Sequence, residues 1–315
     1  MANGKLPPNW ESVPTSSGML DVGNHHSIHW HSFGHLEATP VVAVHGGPGS
    51  GANLHHLTFF DPQLHRVIMF DQRGTGLSIP CGAIFANTTQ HLVSDIEKLR
   101  RFLNVERWLV FGVSWGACLS LLYAQSYPQS SSALVLVGLP NRHDYQNSWI
   151  LELRASLLPK RHQDFMASLS SIDRPDPVAA YYRKIQSPDR RFQLEATYAI
   201  WLLEAGLAGP EPETQTPVPL NKIDRSMINR AKIYLHYWAN KTFLPAGHLL
   251  VDPGGLASMP TIFVHGDTDW ICPLNGVEQV VAQIKTAKLI TVPAAGHSPF
   301  SVDMTHAIRE AIMAA

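Results

Sequence analysis

The 315-residue chain has few cysteines, almost no net charge and no long apolar run. Cys81, Cys118 and Cys272 form no CxxC pair, which argues against a disulfide framework or a structural zinc site, so we expect reduced thiols. A formal net charge of −1 provides no attraction to nucleic acid or to an anionic membrane surface. Apolar runs such as LVLVGLP are too short to span a bilayer. We therefore expect a globular protein that binds neither nucleic acid nor a membrane.

Two further features bear on location and cofactors. The opening stretch MANGKLPPNWESVP has no apolar core of the kind found in secretory signals, which favours a cytoplasmic location. The 17 histidines include the run HHSIHWHSFGH at 25–35, but no HExxH ligand pair is present. This run alternates with period two, which predicts a half-exposed hairpin strand carrying free histidines. We expect neither a metal nor an organic cofactor.

Apolar strands recur along the chain with room for helices between them. Six runs are predicted as strands, at 41–45, 67–71, 108–112, 133–137, 261–265 and 288–292. Continuous apolar strands that alternate with helices imply a mostly parallel sheet covered on both faces. Between the second and third runs, Leu92, Val93, Ile96, Leu99 and Leu103 have helical spacing, with Thr88 or Thr89 as the N-cap.

The alternation of strand-like and helical runs stops after Val137. Residues 139–245 are helical and aromatic in character. Strands resume at 261, where only two more strands and a final helix follow. That is too little for an independent domain, so an inserted helical lobe is more economical than two serial domains. The predicted organisation is a core at 1–138 and 246–315 with a helical cap domain at 139–245.

The stretch LVFGVSWGACLSLLYAQSYP at 109–128 places Ser114 in a GxSxG run between a strand and a helix. In a nucleophile elbow, flanking glycines are needed because side chains would clash with the sharp turn. The turn exposes the serine hydroxyl at the carboxyl edge of the sheet, where the start of a helix favours negative charge. Glycines that merely turn a corner would not call for a serine.

A serine hydroxyl needs a base, and the base needs an acid to orient it. His297 follows the last predicted strand and is assigned as general base and then general acid. The strand before it ends in a loop that offers Asp267 and Asp269. We prefer Asp269, because Asp267 directly follows Gly266, where a turn or cap role is common.

The oxyanion of an acyl-transfer intermediate requires main-chain donors. The glycine-rich run HGGPGSG after the first parallel strand can bring the backbone of Gly46 or Gly47 close to a substrate. Trp115, the first residue after the serine, would supply a second amide. Removing one such donor costs on the order of 3 kcal/mol of transition-state stabilisation.

With these residues identified, the chain resembles the proline iminopeptidase family of α/β-hydrolases. The resemblance rests on HGGPG at 45–49, DQRGTGLS at 71–78, GVSWG at 112–116 and AGHS at 295–298, in that order. It implies an α/β-hydrolase fold, a triad of Ser114, Asp269 and His297, and an oxyanion hole at Gly47 and Trp115. Asp71 and Arg73 are expected to brace the site.

Members of this family read the free amine of an N-terminal residue, usually proline, with glutamates of the cap. The segment at 195–206 resembles the family's cap segment, and Glu204 falls on its glutamate while Leu203 replaces a tryptophan. Farther on, Tyr234 stands where the family has a second glutamate. Trp201, Tyr234, Tyr237 and Trp238 either line an apolar pocket or belong to the cap core.

The sequence therefore predicts a serine hydrolase that cleaves an N-terminal proline or a related amide through an acyl-enzyme. The alternatives that keep the triad are an esterase, an amidase or an acyltransferase acting on a small metabolite. A catalytically silent binding protein on the same scaffold would lack a nucleophile, base or acid, and none is missing here. Epoxide hydrolases and haloalkane dehalogenases need an aspartate at the position of Ser114.

Overall fold

The computed structural model describes residues 7, 9–10, 13–140, 151–152, 155–204, 218–245, 249 and 253–315, with the backbone alone for Glu204 and Pro253. Eight strands form one sheet in the order β1-β2-β4-β3-β5-β6-β7-β8. The strands are β1 (Ser16–Gly23), β2 (His26–Phe33), β3 (Thr39–Val44), β4 (His65–Phe70), β5 (Trp108–Val113), β6 (Ser131–Val137), β7 (Thr261–Gly266) and β8 (Ala287–Val292). β1 and β2 pair antiparallel, β2 and β4 pair antiparallel, and all other neighbours are parallel.

Helices cover both faces of this sheet and form a separate group before β7. Those beside the sheet are α1 (Thr89–Phe102), α2 (Trp115–Ser126), α7 (Leu274–Val281) and α8 (Val302–Ala314). Those of the separate group are α3 (Pro159–Ala167), α4 (Pro177–Gln186), α5 (Arg190–Glu204) and α6 (Arg225–Ala239). Short 3₁₀ turns occur at Leu54–Phe59, Pro128–Ser130, Leu220–Lys222, Lys241–Phe243 and Pro253–Leu256.

All six strands predicted from apolar runs are confirmed as β3 to β8, and the α/β-hydrolase fold with them. Most side chains of β3 to β7 are buried and apolar because a hydrophobic cluster lies on each face of the sheet, whereas β8 is only partly buried. Helix α1 also forms where the apolar spacing placed it. Thr88 is its N-cap, with a side chain that accepts a hydrogen bond from the His91 amide.

The prediction of a half-exposed strand at 25–35 was wrong about the exposure of the strand. The run does form the hairpin strand β2, but β2 lies between β1 and β4 instead of at a solvated edge. His26 and His31 are buried, and residues 30–33 are buried on both faces. A period of two in the sequence reflects the alternating pleat of a strand. Burial depends on what packs against each face of the strand, and the local sequence pattern does not contain that information.

Helices α3 to α6, with the described chain around them at 155–204 and 218–245, form what we call the helical segment. A hydrophobic cluster of its own holds it together, and it includes Phe165, Tyr181 and Leu203. Helix α6 belongs to both layers, because Leu235 packs in this cluster while Tyr237 packs in a cluster of the sheet. The predicted boundaries of the cap, 139 and 245, stay a prediction.

Hydrogen bonds also join α6 to the sheet layer. Asn87, just before α1, receives two of them: the Tyr237 hydroxyl donates to its side-chain oxygen over 2.8 Å, and His236 Nε2 lies 2.9 Å from its carbonyl oxygen. On the other side of the His236 ring, Nδ1 lies 2.9 Å from the Tyr182 hydroxyl of α4. These contacts fix α6 against the carboxyl end of the parallel strands.

Within the described residues, no helix combines the length and the apolar character that crossing a membrane would require.

Candidate active site

Ser114 lies in the sharp connection between β5 and α2. Its backbone has φ 55° and ψ −123°, a conformation that costs a non-glycine residue about 1–3 kcal/mol. The surroundings hold it there, because its amide donates to the Val137 carbonyl of β6 over 2.8 Å and its carbonyl accepts from the Ala117 amide. The side chain is only half-buried and lines a cavity. The strained turn therefore presents the hydroxyl outward from a buried strand.

The two glycines of the GxSxG run are required by close approaches of the backbone. A Cβ added to Gly112 would lie 2.4 Å from the Gly116 carbonyl oxygen, across the turn. A Cβ added to Gly116 would lie 2.1 Å from the carbonyl oxygen of Val44, at the end of β3. Both contacts are shorter than atoms can approach, so side chains at these positions would force strand and helix apart.

A continuous chain of hydrogen bonds joins three predicted residues from remote parts of the sequence. His297 Nε2 lies 2.9 Å from Ser114 Oγ, and His297 Nδ1 lies 2.7 Å from Asp269 Oδ2. Asp269 follows β7 and His297 follows β8, and parallel strands bring their carboxyl ends to the same edge of the sheet. The structure thus brings together the nucleophile, base and acid inferred from the sequence.

The choice of Asp269 over Asp267 agrees with this geometry. Asp269 is 4% exposed, whereas Asp267 faces solvent. The second carboxylate oxygen of Asp269 accepts hydrogen bonds from the amides of Ile271 and Cys272, over 3.0 and 2.8 Å. These bonds fix the orientation of the carboxylate toward His297.

The local electrostatics favours the ionised forms of both Asp269 and His297. Burial alone would raise the pKa of Asp269. The neighbouring His297 and the Cys272 amide outweigh burial and hold that pKa below its ordinary value. Burial alone would lower the pKa of His297, but the Asp269 carboxylate outweighs it and raises the pKa well above the ordinary value. Asp269 is therefore suited to stabilise an imidazolium that forms at His297.

Two main-chain groups lie where an oxyanion could be held. Gly46 and Gly47 line the cavity beside Ser114, and a Cβ added to Gly46 would lie only 3.3 Å from the Ser114 Cβ. Trp115 is the first residue of α2, whose first amides have no acceptor within the helix. The backbone of both predicted donors, Gly47 and Trp115, thus lies next to the serine.

His45 positions the peptide group that contains the Gly47 amide. The Gln72 amide donates to His45 Nε2 over 3.1 Å, so the proton of the ring is on Nδ1, which donates to the Gly46 carbonyl over 2.8 Å. Because the Gly46 carbonyl and the Gly47 amide share one planar peptide, holding the oxygen fixes the direction of the N–H. This function of His45 was not predicted, although the residue begins the HGGPG run.

Of the two residues of DQRGTGLS that were expected to brace the site, Asp71 joins two loops beside it, whereas Arg73 acts at a greater distance. Asp71 accepts from the Ala52 amide over 2.7 Å and from the Leu77 amide over 2.9 Å, which joins the loop after β3 to the loop after β4. Arg73 instead pairs with Asp95 of α1 through two bonds of 2.6 and 2.9 Å and is 1% exposed. Arg73 therefore fixes the second loop to α1 and not to the triad.

A cavity of about 360 Å³ opens above the serine. Its walls come from the loops after β3, β7 and β8 and from the helical segment. They include His45, Gly46, Gly47, Ser50, Asn53, His56, Leu203, Arg230, Tyr234, Ile271, His297 and Phe300. This volume lies in the range of small-molecule sites, so it fits a substrate of one or a few residues.

The predicted substrate-binding residues separate into three groups. Tyr234 is half-buried and lines the cavity. Trp238 is instead buried in the helical segment, edge-on to Tyr234 at 5.8 Å between ring centroids. Trp201 is half-buried on α5 and is not among the described residues that line the cavity. The side chain of Glu204 lies outside the described residues.

Arg230 and Cys272 also lie near the site and were not predicted. Arg230, one helical turn before Tyr234, lines the cavity. Cys272 contributes a third ligand-type atom to a group in which atoms of Asp269, Cys272 and His297 all lie within 4.8 Å of one another. The spacing of three residues between Asp269 and Cys272 carries no recognised signal, and Arg230 belongs to no motif.

Comparison with known proteins gives the same family. The family model for the alpha/beta hydrolase fold matches residues 39–303. A proline iminopeptidase of Xylella fastidiosa is 36% identical over 292 residues, which span 92% of this chain and 93% of that protein. One from Arabidopsis thaliana is 36% identical over 288 residues, 90% of this chain and 76% of that protein. The crystal structure of a proline iminopeptidase of Mycobacterium smegmatis aligns with a TM-score of 0.57 at 19% identity, covering 95% of this chain and 99% of that one.

The fold, the family model and the site define an α/β-hydrolase. Within that class, the chain belongs to the proline iminopeptidase family, since relatives at 36% identity cover nine-tenths of it. It is accordingly a serine hydrolase of the proline iminopeptidase type.

Proposed function

We propose that the chain releases an N-terminal residue, proline in the first instance, from a short peptide through an acyl-enzyme at Ser114. His297 Nε2 takes the proton of Ser114 Oγ as the oxygen attacks the carbonyl carbon, and Asp269 stabilises the imidazolium that results. The amides of Gly47 and Trp115 donate to the oxyanion. The amide C–N bond then breaks as His297 gives its proton to the leaving nitrogen, and water hydrolyses the ester by the same steps.

The observation that carries this proposal is the uninterrupted Asp269–His297–Ser114 chain, with contacts of 2.7 and 2.9 Å, at a serine held in a strained turn. A serine hydroxyl without such a base would be a poor nucleophile. Its relatives' names supply the substrate: those proteins are proline iminopeptidases. The helical segment, which supplies Leu203, Arg230 and Tyr234 to the cavity, would act as the cap.

Covalent labelling tests the nucleophile. A fluorophosphonate should label the unmodified chain and fail to label Ser114→Ala, because the reagent reacts only with an activated hydroxyl. Ser126→Ala, at the far end of the same helix, serves as the matched control and should label normally. Equal labelling of the chain and the Ser114→Ala variant would contradict the assignment.

Turnover tests the substrate. The proposal expects hydrolysis of proline p-nitroanilide and much slower hydrolysis of its N-blocked form, since a peptidase of this type recognises a free amine. A preference for the blocked compound or for a simple aryl ester would contradict the peptidase activity while leaving the triad intact.

One observation favours a second candidate, an esterase, amidase or acyltransferase with the same triad. The cavity wall carries Tyr234 where the family resemblance expects a glutamate, so an anionic partner for a substrate amine is absent at that position. A neutral hydroxyl pairs a buried ammonium more weakly than a carboxylate does.

The Tyr234→Glu variant distinguishes the two candidates. We expect turnover of the free-amine anilide to rise about tenfold relative to the blocked compound, because a charge-assisted hydrogen bond is regained. Tyr234→Phe is the control, since it changes the same side chain without adding charge. An unchanged ratio in Tyr234→Glu would favour the second candidate. The cytoplasmic location stays a prediction from the opening stretch of the sequence. The absence of nucleic-acid and membrane partners stays a prediction from net charge and the length of the apolar runs.

A further inference from the structure

An aromatic side chain lies in the cavity wall close to the proposed base. Phe300 is three residues after His297 in the loop that follows β8, and both residues line the cavity above Ser114. Phe300 is 39% exposed. A large apolar ring is therefore left partly open at the place where a substrate would bind.

Neighbouring aromatic side chains hold this ring in place. Phe300 stacks with His56 and Phe59 of the 3₁₀ turn after β3, at 5.7 and 5.5 Å between ring centroids and with interplanar angles of 23° and 14°. Both of these rings contact Phe111 of β5, at 6.1 and 5.7 Å. Because the stack begins in the hydrophobic cluster of the sheet, the position of Phe300 is set before a substrate binds.

The turn that carries His56 and Phe59 is itself bound to the last helix. Arg309 of α8 donates from Nε to the carbonyl oxygen of Thr58 over 2.8 Å. Burial lowers the pKa of the His56 imidazole to about 3, so this ring is neutral near pH 7. The rings that support Phe300 are therefore ordered and uncharged at neutral pH.

The proposed chemistry brings the leaving group to this side of the cavity. His297 Nε2 lies 2.9 Å from Ser114 Oγ and gives its proton to the leaving nitrogen, which must lie within hydrogen-bond reach of the ring. Three residues of backbone span at most about 11 Å, so Phe300 stays close to His297. The side chain of the residue that carries the leaving nitrogen can bridge this gap to the Phe300 ring.

A second cavity, of about 460 Å³, lies between the loops after β3 and β4 and the start of α6. Among the described residues, neither His297 nor Phe300 lines it. The residue that carries the leaving nitrogen therefore lies in the first cavity, and the second is open to later parts of a longer peptide. The two cavities share the lining residues Ser50, Gly51, Asn53 and Arg230.

We propose that Phe300 determines specificity for the leaving group and selects peptides whose second residue has an aromatic side chain. This inference rests on the proposed function and names a substrate class for it. An aromatic side chain on Phe300 buries more apolar area than a small one, and ring stacking adds to that gain. The contact is made in the bound substrate and in the transition state alike, so the preference should arise mainly in KM.

The experiment compares prolylphenylalanine with prolylalanine, which carry the same charges and differ by one phenyl group. The unmodified chain should hydrolyse prolylphenylalanine with about tenfold higher kcat/KM. Phe300→Ala should remove most of that preference by raising KM for prolylphenylalanine, whereas Phe300→Trp should keep it, because a flat ring is retained. Phe300→Leu should lie between the two, and it decides the question if the alanine variant does not fold.

Phe102→Ala is the matched control. Phe102 is 51% exposed at the end of α1 and is not among the described residues that line either cavity. Its loss removes the same exposed ring from the surface of the protein, and the variant should keep the preference for prolylphenylalanine.

The outcomes separate this inference from the function on which it rests. Equal kcat/KM for the two peptides in the unmodified chain would overturn the role of Phe300 and leave the peptidase activity standing. An equal fall for both peptides in Phe300→Ala or Phe300→Leu would do the same. Hydrolysis of neither peptide by a chain that still reacts with fluorophosphonate would overturn the proposed peptidase activity and this inference together.

Discussion

The sheet edge and the helical segment contribute to one cavity in different ways. At the edge, each residue of the proposed triad is fixed by several contacts: Ser114 by two backbone hydrogen bonds, Asp269 by two amides, and His297 by its contacts with Ser114 and Asp269. The helical segment contributes single side chains, among them Arg230 and Tyr234, from helices packed around a cluster of their own.

This difference shows how one chemistry accommodates different substrates. Changing a residue at the sheet edge disturbs atoms that must stay within a few tenths of an ångström, because neighbouring backbones already touch there. Changing a cavity-facing residue on α5 or α6 alters charge and shape while the helix stays packed by its opposite face. Reaction type is thus expected to depend on the edge, and the choice of the released residue on the helices.

The largest effect is expected at the acid of the proposed triad. Asp269→Asn should lower kcat by about 10⁴-fold, since His297 loses the partner that stabilises its imidazolium. His297 must be neutral to accept the serine proton, and Asp269 raises its pKa, so the acidic limb of kcat/KM should move to lower pH in the variant. A pH-rate profile checks both points, and a limb that stays in place would contradict the assigned pair.

A methyl group at the elbow should be nearly as damaging, but through stability. Gly116→Ala sets its Cβ against the Val44 and His45 carbonyl oxygens, at 2.1 and 2.8 Å before any shift, and should cost about 3 kcal/mol or more. Gly18→Ala is the matched control, because its Cβ meets the Trp30 ring at an ordinary 3.5 Å. Urea unfolding measures both variants, and equal midpoints would disprove the steric argument.

The smallest effect is expected where the helical segment joins the sheet layer. Tyr237→Phe removes the hydroxyl that donates to Asn87 and leaves a buried amide oxygen unpaired, at a cost of about 1–2 kcal/mol. The measured quantity is the melting temperature, together with kcat on proline p-nitroanilide, which should change less than threefold. A large fall in kcat with an unchanged melting temperature would show that this contact serves the site instead of the packing.

Much of the site could be predicted, because the sequence around each of its main residues specifies the local geometry. Ser114 lies between two glycines that only a strand-to-helix turn explains, and Asp269 and His297 each follow an apolar strand. The positioning role of His45 was missed, because it depends on the Gln72 amide, from a loop 27 residues away. The sequence left open whether Trp201 and Trp238 line a pocket or belong to the cap core, because spacing does not tell which face of a helix meets a cavity.

The fold and the residues of the proposed triad could be predicted from the sequence, because apolar periodicity and turn chemistry act over a few neighbouring residues. The family followed from the resemblance of four short motifs. Packing in three dimensions makes β2 an interior strand, buries Trp238 in the core of the helical segment, and places Arg230 in the lining of two cavities. These properties depend on which surfaces meet, and contacts between residues far apart in the chain leave no local pattern to read.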